Sequence, residues 1–215
     1  TVLAIYGLTE AGPVAVASAE DKIDWNQGGD FVGRCMPGTS AEAEGGGVGE
    51  IIVHSNALYT GYLGQPERPP REGLHTGDLG RIVQTSNGDA LVLLGRAKDM
   101  IVRAGVNVYP GTLEPELRAI TGAQERRLLR EAALVGLWDP AKQDEAIVLC
   151  YQPMAGVNVN EHEFKAAVES VTGEDARPDF YLLVDPIPVT GRQNKVDKEA
   201  LRELALRRFG LARRP

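Results

Sequence analysis

LHTGDLGRIVQTSNGDALVLLGRAKDMIVRAGVNVYP, from Leu74 to Pro110, is the stretch from which the rest of this 215-residue chain is read. HTGDLGR sets one carboxylate, Asp78, between Gly77 and Gly80, a pattern that predicts a tight backbone turn. GRAKDMIVRAG closes the apolar run ALVLLG with Arg96, Lys98 and Asp99 before Gly105. A charged joint placed straight after a strand reads as a pivot between two parts of the chain.

Composition excludes several classes. Apolar residues make up 43% and charged residues 25%, as in an ordinary globular protein and unlike a disordered chain. Twenty-three basic against thirty acidic residues give a net charge of −7, which offers no electrostatic support for a nucleic-acid groove. Arg207, Arg208, Arg213 and Arg214 read as a solvated helix end. Cys35 and Cys150 have neither zinc nor redox spacing, so they read as reduced packing residues of a cytoplasmic protein. No apolar run approaches the ~18–20 residues of a membrane helix, and no signal peptide is recognisable. TVLAIY, with no basic flank before it, reads as a chain entered in mid-domain.

Taken in order, TVLAIYGLTEAG predicts a buried strand running into a glycine turn that presents Thr9 and Glu10. In open α/β sheets ligands gather at such strand ends. Val14 to Gly47 loses periodicity, with Gly28-Gly29 and Gly45-Gly46-Gly47 marking loops and Gly33 and Gly38 as turn residues. GEIIVHS and ALVLLG predict strands, and Gly61, Pro66, Pro69 and Pro70 break the chain between them. Beyond Asp99 the pattern predicts a helix over Gly111–Ile120 and a charged helical run over Gln124–Arg130. Strands follow at AALVGLWD, EAIVLCYQP and FYLLVD, with helices over Glu161–Val171 and Lys198–Phe209. A lone Asp78 in a glycine turn is a local cap, His75 a structural imidazole bonded to backbone, and Lys98 a surface lysine.

Five segments in this order change that reading: YGLTEAGP (Tyr6–Pro13), GEIIVHSNALYTGYLGQPE (Gly49–Glu67), HTGD (His75–Asp78), GRAKDMIVRAGVNVYP (Gly95–Pro110) and PVTGRQNKVDKEAL (Pro188–Leu201). Together they resemble the adenylate-forming ligases, which include acyl-CoA synthetases, aryl-CoA ligases, peptide-synthetase adenylation domains and beetle luciferases. The resemblance covers nearly the whole chain and implies α/β and α+β architecture. Residues 1–97 would be the end of a large AMP-binding N-terminal domain with its β-barrel subdomain, and residues 98–215 a small mobile C-terminal α+β domain.

The roles it implies are specific. Tyr6 would pack on the adenine ring, Thr9 hold the α-phosphate, Glu10 bind Mg²⁺, Asp78 accept from both ribose hydroxyls, and Arg96 sit beside ribose and phosphate. Lys98 would be the hinge, the loop of Gly105, Val106 and Asn107 would line the pantetheine tunnel, and Lys195 would be the catalytic lysine. Ala104, Val106 and Asn194 stand where many relatives carry Gly, Glu and Gly; Asn tolerates the left-handed backbone that the last position needs. Lys198, a competing lysine, reads as a surface residue at a helix start.

The implied activity is an AMP-forming acid–thiol ligase of fatty-acid metabolism, using ATP, Mg²⁺ and coenzyme A on a carboxylic acid, with a carrier-protein phosphopantetheine as the other possible acceptor. The family's Ser/Thr/Gly-rich phosphate loop has no match here, so the chain is expected to be a C-terminal fragment. It would need the missing N-terminal portion to form an adenylate. A non-catalytic carrier-docking or split-half module, a peptide-synthetase adenylation domain and a β-lactone synthetase are the alternatives. The retention of Asp78, Arg96 and Lys195 together speaks against a mere docking module.

Overall fold

The computed structural model describes residues 2–66, 72–122, 125–157, 159–191 and 194–214. The chain divides into two compact units, Thr1–Lys98 and Asp99–Pro215. The proline breakers Pro69 and Pro70 lie outside the described residues, as does Gln124.

Unit 1 is built on strands β1 (Leu3–Leu8), β2 (Gly12–Ser18), β3 (Asp30–Cys35), β4 (Thr39–Ala43), β5 (Gly49–Ser55), β6 (Leu74–Thr85) and β7 (Gly88–Arg96), with one short helix, α1 (Ala19–Asp24). They form one antiparallel sheet in the order β1-β2-β3-β7-β6-β5-β4. The apolar run in β7 is explained by its place in the middle, because side chains alternate faces along a strand. Leu91 joins Val14, Ala15, Ile51 and Val53 in one buried cluster, while Ala90 and Val92 join Ala17 and Phe31 in another.

Four expectations change here. The opening run forms a strand, but not a buried one: β1 is the sheet's edge, with Leu3 and Ile5 58% and 63% exposed. Val14 to Gly47, where no periodicity is legible, holds three strands, while the glycine clusters at 28–29 and 45–47 do lie between strands. Its Ala- and Gly-rich segments lack the β-branched signal of a strand, and pairing with β7 and β5 supplies what local propensity does not. Gly33 belongs to this pairing and not to a turn, since a Cβ there would meet Val16 O at 2.0 Å, so only glycine allows the two strands to approach. Gly38 does occupy a turn. HTGDLGR likewise runs inside β6, where a register shift at Leu79/Gly80 replaces the expected reversal.

Unit 2 comprises β8 (Ile101–Arg103), β9 (Val106–Val108), α2 (Pro110–Ala119), β10 (Leu129–Asp139), β11 (Asp144–Pro153), α3 (Glu161–Thr172), β12 (Phe180–Leu183), β13 (Val189–Thr190), β14 (Lys195–Val196) and α4 (Lys198–Phe209). The central sheet β10-β11-β12 has one antiparallel and one parallel pair, and α3 connects the parallel strands. Leu117, Phe164 and Val168 cover one face of it against Leu134, Ile147 and Leu149. Leu201 and Ala205 of α4 cover the other, against Ala133, Val135, Val148 and Cys150. The expected helix over Gln124–Arg130 is absent from the described part of that run. Glu125 adopts φ 56°, and the Leu128 amide donates back to Ile120 O at 3.0 Å. The chain must reverse here to enter β10, and a left-handed residue ends any helical propagation.

Both thiols are unpaired. Burial pushes Cys150 up to about 12 and raises Cys35 less far, so neither is an activated nucleophile.

Asp179 fastens the start of β12. Its carboxylate accepts from the Ile147 amide at 2.9 Å and from Lys142 at 2.8 Å, with Arg103 at 3.5 Å. Burial raises this carboxyl, but the Lys142 bond, the Ile147 amide and Arg103 outweigh it and hold it below the ordinary range. A carboxyl whose folded value is depressed stabilises the fold above its unfolded value, near ~3.9, and loses that contribution as pH falls through the folded value. Asp179→Asn is expected to destabilise by about 2 kcal/mol at neutral pH, from the hydrogen bonds to a charged group. Urea unfolding at a series of pH values should show this gap closing below about pH 4; a gap that stays constant would contradict the assignment.

Candidate functional site

The β6–β7 ladder places Asp78 directly opposite Arg96. Gly77, at φ 71°, is the left-handed residue that delivers Asp78 to this position. Asp78 is only 7% exposed, and both of its oxygens are engaged: Arg96 Nε lies 2.9 Å from Oδ1, and the Tyr6 hydroxyl donates to Oδ2 at 2.7 Å. Burial and then the bond to Asp78 push the Tyr6 phenol well above its usual range, so Tyr6 remains a neutral donor. Arg96 also donates to Thr76 O at 3.0 Å, and its side chain is 47% exposed. The guanidinium therefore bridges a buried carboxylate and solvent.

Thr76 and Glu50, which the sequence reading did not single out, support this arrangement. The Thr76 hydroxyl donates to Ile51 O at 2.8 Å and accepts from the Asp78 amide at 3.1 Å. Glu50 accepts from the Gly77 amide at 2.8 Å and stands 3.3 Å from His75 Nδ1. His75 thus faces a carboxylate at the surface and is not the backbone-bonded imidazole expected. The HTGD spelling carried the signal for Thr76, since a hydroxyl two residues before a buried carboxylate can bond that residue's amide.

Thr9 and Glu10 occupy the turn between β1 and β2, Thr9 exposed. Glu10 Oε1 accepts from the Tyr62 hydroxyl at 2.6 Å, and its backbone carbonyl accepts from the Tyr59 amide at 2.8 Å. Tyr59 and Tyr62 meet edge to face at 5.0 Å. The Tyr62 bond holds the Glu10 carboxyl below its ordinary value, and the same bond pushes the Tyr62 hydroxyl up to about 12. The second Glu10 oxygen is not part of this bond. Mg²⁺ commonly takes one or two carboxylates and completes its shell with phosphate oxygens and water. The single carboxylate of Glu10 fits that demand. Among the described residues no group of three or more His, Cys, Asp or Glu side chains forms a closed cage.

Lys98 lies exposed in the 3-10 turn Ala97–Asp99, at the last residue of unit 1. Gly105, Val106 and Asn107 form the β8–β9 turn and the start of β9, with Val106 42% exposed. In unit 2, Lys195 is exposed on β14, paired with Thr190 of β13. Asn194 adopts φ 49°, the left-handed backbone expected of the residue before it. Lys198 is not the surface residue expected: its ammonium lies 2.7 Å from Glu114, and the side chains are only 16% and 13% exposed.

No family model matches the chain. The medium-chain acyl-CoA ligase ACSF2 of Rattus norvegicus, a mitochondrial protein by its name, is 29% identical over 217 residues, covering 94% of this chain. The amide bond synthetase McbA from Marinactinospora thermotolerans superposes with a TM-score of 0.73 at 28% identity over 94% of the chain. ATP-bound MatB from Rhodopseudomonas palustris gives 0.73 at 27% identity over 94%. The chain is similar to acyl-CoA ligases and other adenylate-forming enzymes. It matches their C-terminal portion and spans 33% of the length of the rat ligase and 42% and 40% of the two solved chains. The α+β architecture of the second unit matches the C-terminal domain of such enzymes. Among the described residues no helix is long and apolar enough to cross a membrane.

Replacing Tyr62 by Phe is expected to let the Glu10 carboxyl rise toward its ordinary value, read by carbon-detected NMR titration. A Glu10 titration that does not move would show that Tyr62 does not govern this carboxylate.

Proposed function

We propose that this chain is the C-terminal portion of an AMP-forming acyl-CoA ligase. Residues 1–97 would carry part of its nucleotide site, and residues 98–215 would be a mobile domain that swings about Lys98. The observation that carries the reading is the buried Asp78 carboxylate fixed between Tyr6 and Arg96. Each carboxylate oxygen has two lone pairs, so Asp78 retains accepting capacity for a vicinal diol after bonding Tyr6 and Arg96. Tyr6, anchored through its hydroxyl, is held in one orientation, as a ring that stacks on adenine must be. Arg96 is already paired on one side and exposed on the other, so it can meet phosphate or ribose oxygens without first being desolvated.

In the first half-reaction an oxygen of the carboxylic acid attacks the α-phosphorus of ATP, and the bond to pyrophosphate breaks. Lys195, an ammonium on an exposed turn, would stabilise the charge that develops as pyrophosphate leaves. Thr9 would donate its hydroxyl to the α-phosphate, and Glu10 would hold Mg²⁺, which neutralises phosphate charge when bound. In the second half-reaction a coenzyme A thiolate attacks the acyl carbon and AMP leaves. Gly105, Val106 and Asn107 would then line the approach of the pantetheine arm. Turnover in two steps needs Lys195 present in one arrangement and withdrawn in the other, which a swinging domain supplies.

The likeness to an amide bond synthetase favours a second reading in which the acceptor is an amine. The same adenylation machinery would serve it, and only the attacking nucleophile would differ. The two unpaired cysteines suit a reducing compartment such as the cytoplasm.

Calorimetric titration of the chain with AMP should show binding that Asp78→Ala weakens by about tenfold or more, the loss expected when a charged hydrogen-bond acceptor is removed; unchanged binding in that variant would sink the nucleotide-site reading. In the full-length ligase, Lys195→Ala should lower pyrophosphate exchange by roughly 10²–10³ while sparing thioester formation from supplied acyl-adenylate.

A further inference from the structure

The face that α4 turns inward carries two cations as well as its apolar residues. Lys198 and Arg202 are four residues apart, so they lie above one another on the helix. Lys198 pairs with Glu114 of α2, and Glu114 Oε1 also accepts the Leu134 amide of β10 at 2.9 Å. Arg202 Nη2 lies 2.9 Å from Asp99 Oδ1, with side chains 17% and 16% exposed, and its Nη1 reaches Glu199 at 3.4 Å. Asp99 is the first residue of unit 2. A single face of α4 therefore fastens the helix to α2, to the central sheet and to the point where the unit begins.

Buried ion pairs add little net stability over apolar packing of the same volume, and their use is often to fix one geometry. The segment that needs fixing is directly upstream. Among the described residues the β13–β14 ribbon has two residue pairs, Val189 with Val196 and Thr190 with Lys195. Such a ribbon does not hold itself in water. Its neighbours must hold it: the Asp197 amide donates to Pro188 O at 2.9 Å, Asp197 caps α4 through the Ala200 amide at 3.0 Å, and the Lys198–Glu114 pair follows at the next residue. Burial pushes the Glu114 carboxyl up, and Lys198 opposes that rise.

We propose that Lys198 and Arg202 are positioning residues, which hold the Lys195 ribbon in a fixed geometry relative to Asp99. This rests on the reading of Lys195 as the adenylating lysine. If Asp99 moves with α4, any swing of the unit is absorbed before it, at Ala97 and Lys98. Lys198 would then reach the chemistry only through Lys195, without touching the nucleotide.

Two measurements test this separately. In the 215-residue chain, amide hydrogen exchange is followed at Asn194 and Asp197, which donate to Gly191 O and Pro188 O, and at Leu149 in the sheet core as a reference. Lys198→Met combined with Glu114→Gln leaves no lone buried charge, so the unit should fold. Exchange at Asn194 and Asp197 is expected to accelerate about tenfold, as in a local opening, with Leu149 unchanged. Lys198→Arg, which keeps the cation, should restore slow exchange. No acceleration at the ribbon, or equal acceleration at Leu149, would overturn the proposal. In the full-length ligase the double variant should lower pyrophosphate exchange and leave thioester formation from supplied acyl-adenylate intact. A loosened ribbon with undiminished pyrophosphate exchange would uphold the structural coupling and overturn the role given to Lys195.

Discussion

Everything legible about a site in unit 1 depends on the register of β6 against β7. Because side chains alternate across a strand, a slip of one residue would carry Asp78 to the other face of the sheet, away from Tyr6. The pairing of Asp78 with Arg96 resists that slip in two ways. It sets opposite charges across one rung of the ladder, and it gives a buried carboxylate the partners without which its desolvation would be costly. Tyr6 then ties the edge strand β1 to the same carboxylate, so the turn bearing Thr9 and Glu10 leaves β1 from a fixed point.

The polar groups around Asp78 find their partners within unit 1. Thr76, Glu50, Tyr6 and Arg96 share the donors and acceptors near Asp78, and no buried side-chain nitrogen or oxygen among the described residues lacks a partner. Groups paired this way are held in one orientation. Glu10 follows the same logic at the surface, where Tyr62 engages one oxygen and keeps the group ionised.

Unit 2 solves a different problem. Its sheet is covered on both faces by the apolar sides of helices, yet it also half-buries Lys198, Glu114, Arg202 and Asp99 around α4. Apolar packing fixes how close a helix lies but only loosely fixes its rotation and slide. Charged pairs with short contacts restrict both, and that restriction is passed to the short ribbon ahead of the helix.

The residue pattern alone carried the strands of strong β-character, GEIIVHS, ALVLLG, AALVGLWD and EAIVLCYQP, and the helices over Glu161–Val171 and Lys198–Phe209. It carried the resemblance to the adenylate-forming ligases, and at Asn194 a residue type that tolerates the left-handed backbone found there. Such features are local: periodicity, propensity and spelling lie within a window of a few residues. The strands hidden in Val14–Gly47, the exposure of β1, the strand geometry of HTGDLGR and the partial burial of Lys198 were settled by tertiary structure. Each depends on a partner far away in sequence, and neither a pairing register nor a buried counter-charge is written in the residues on one side of it.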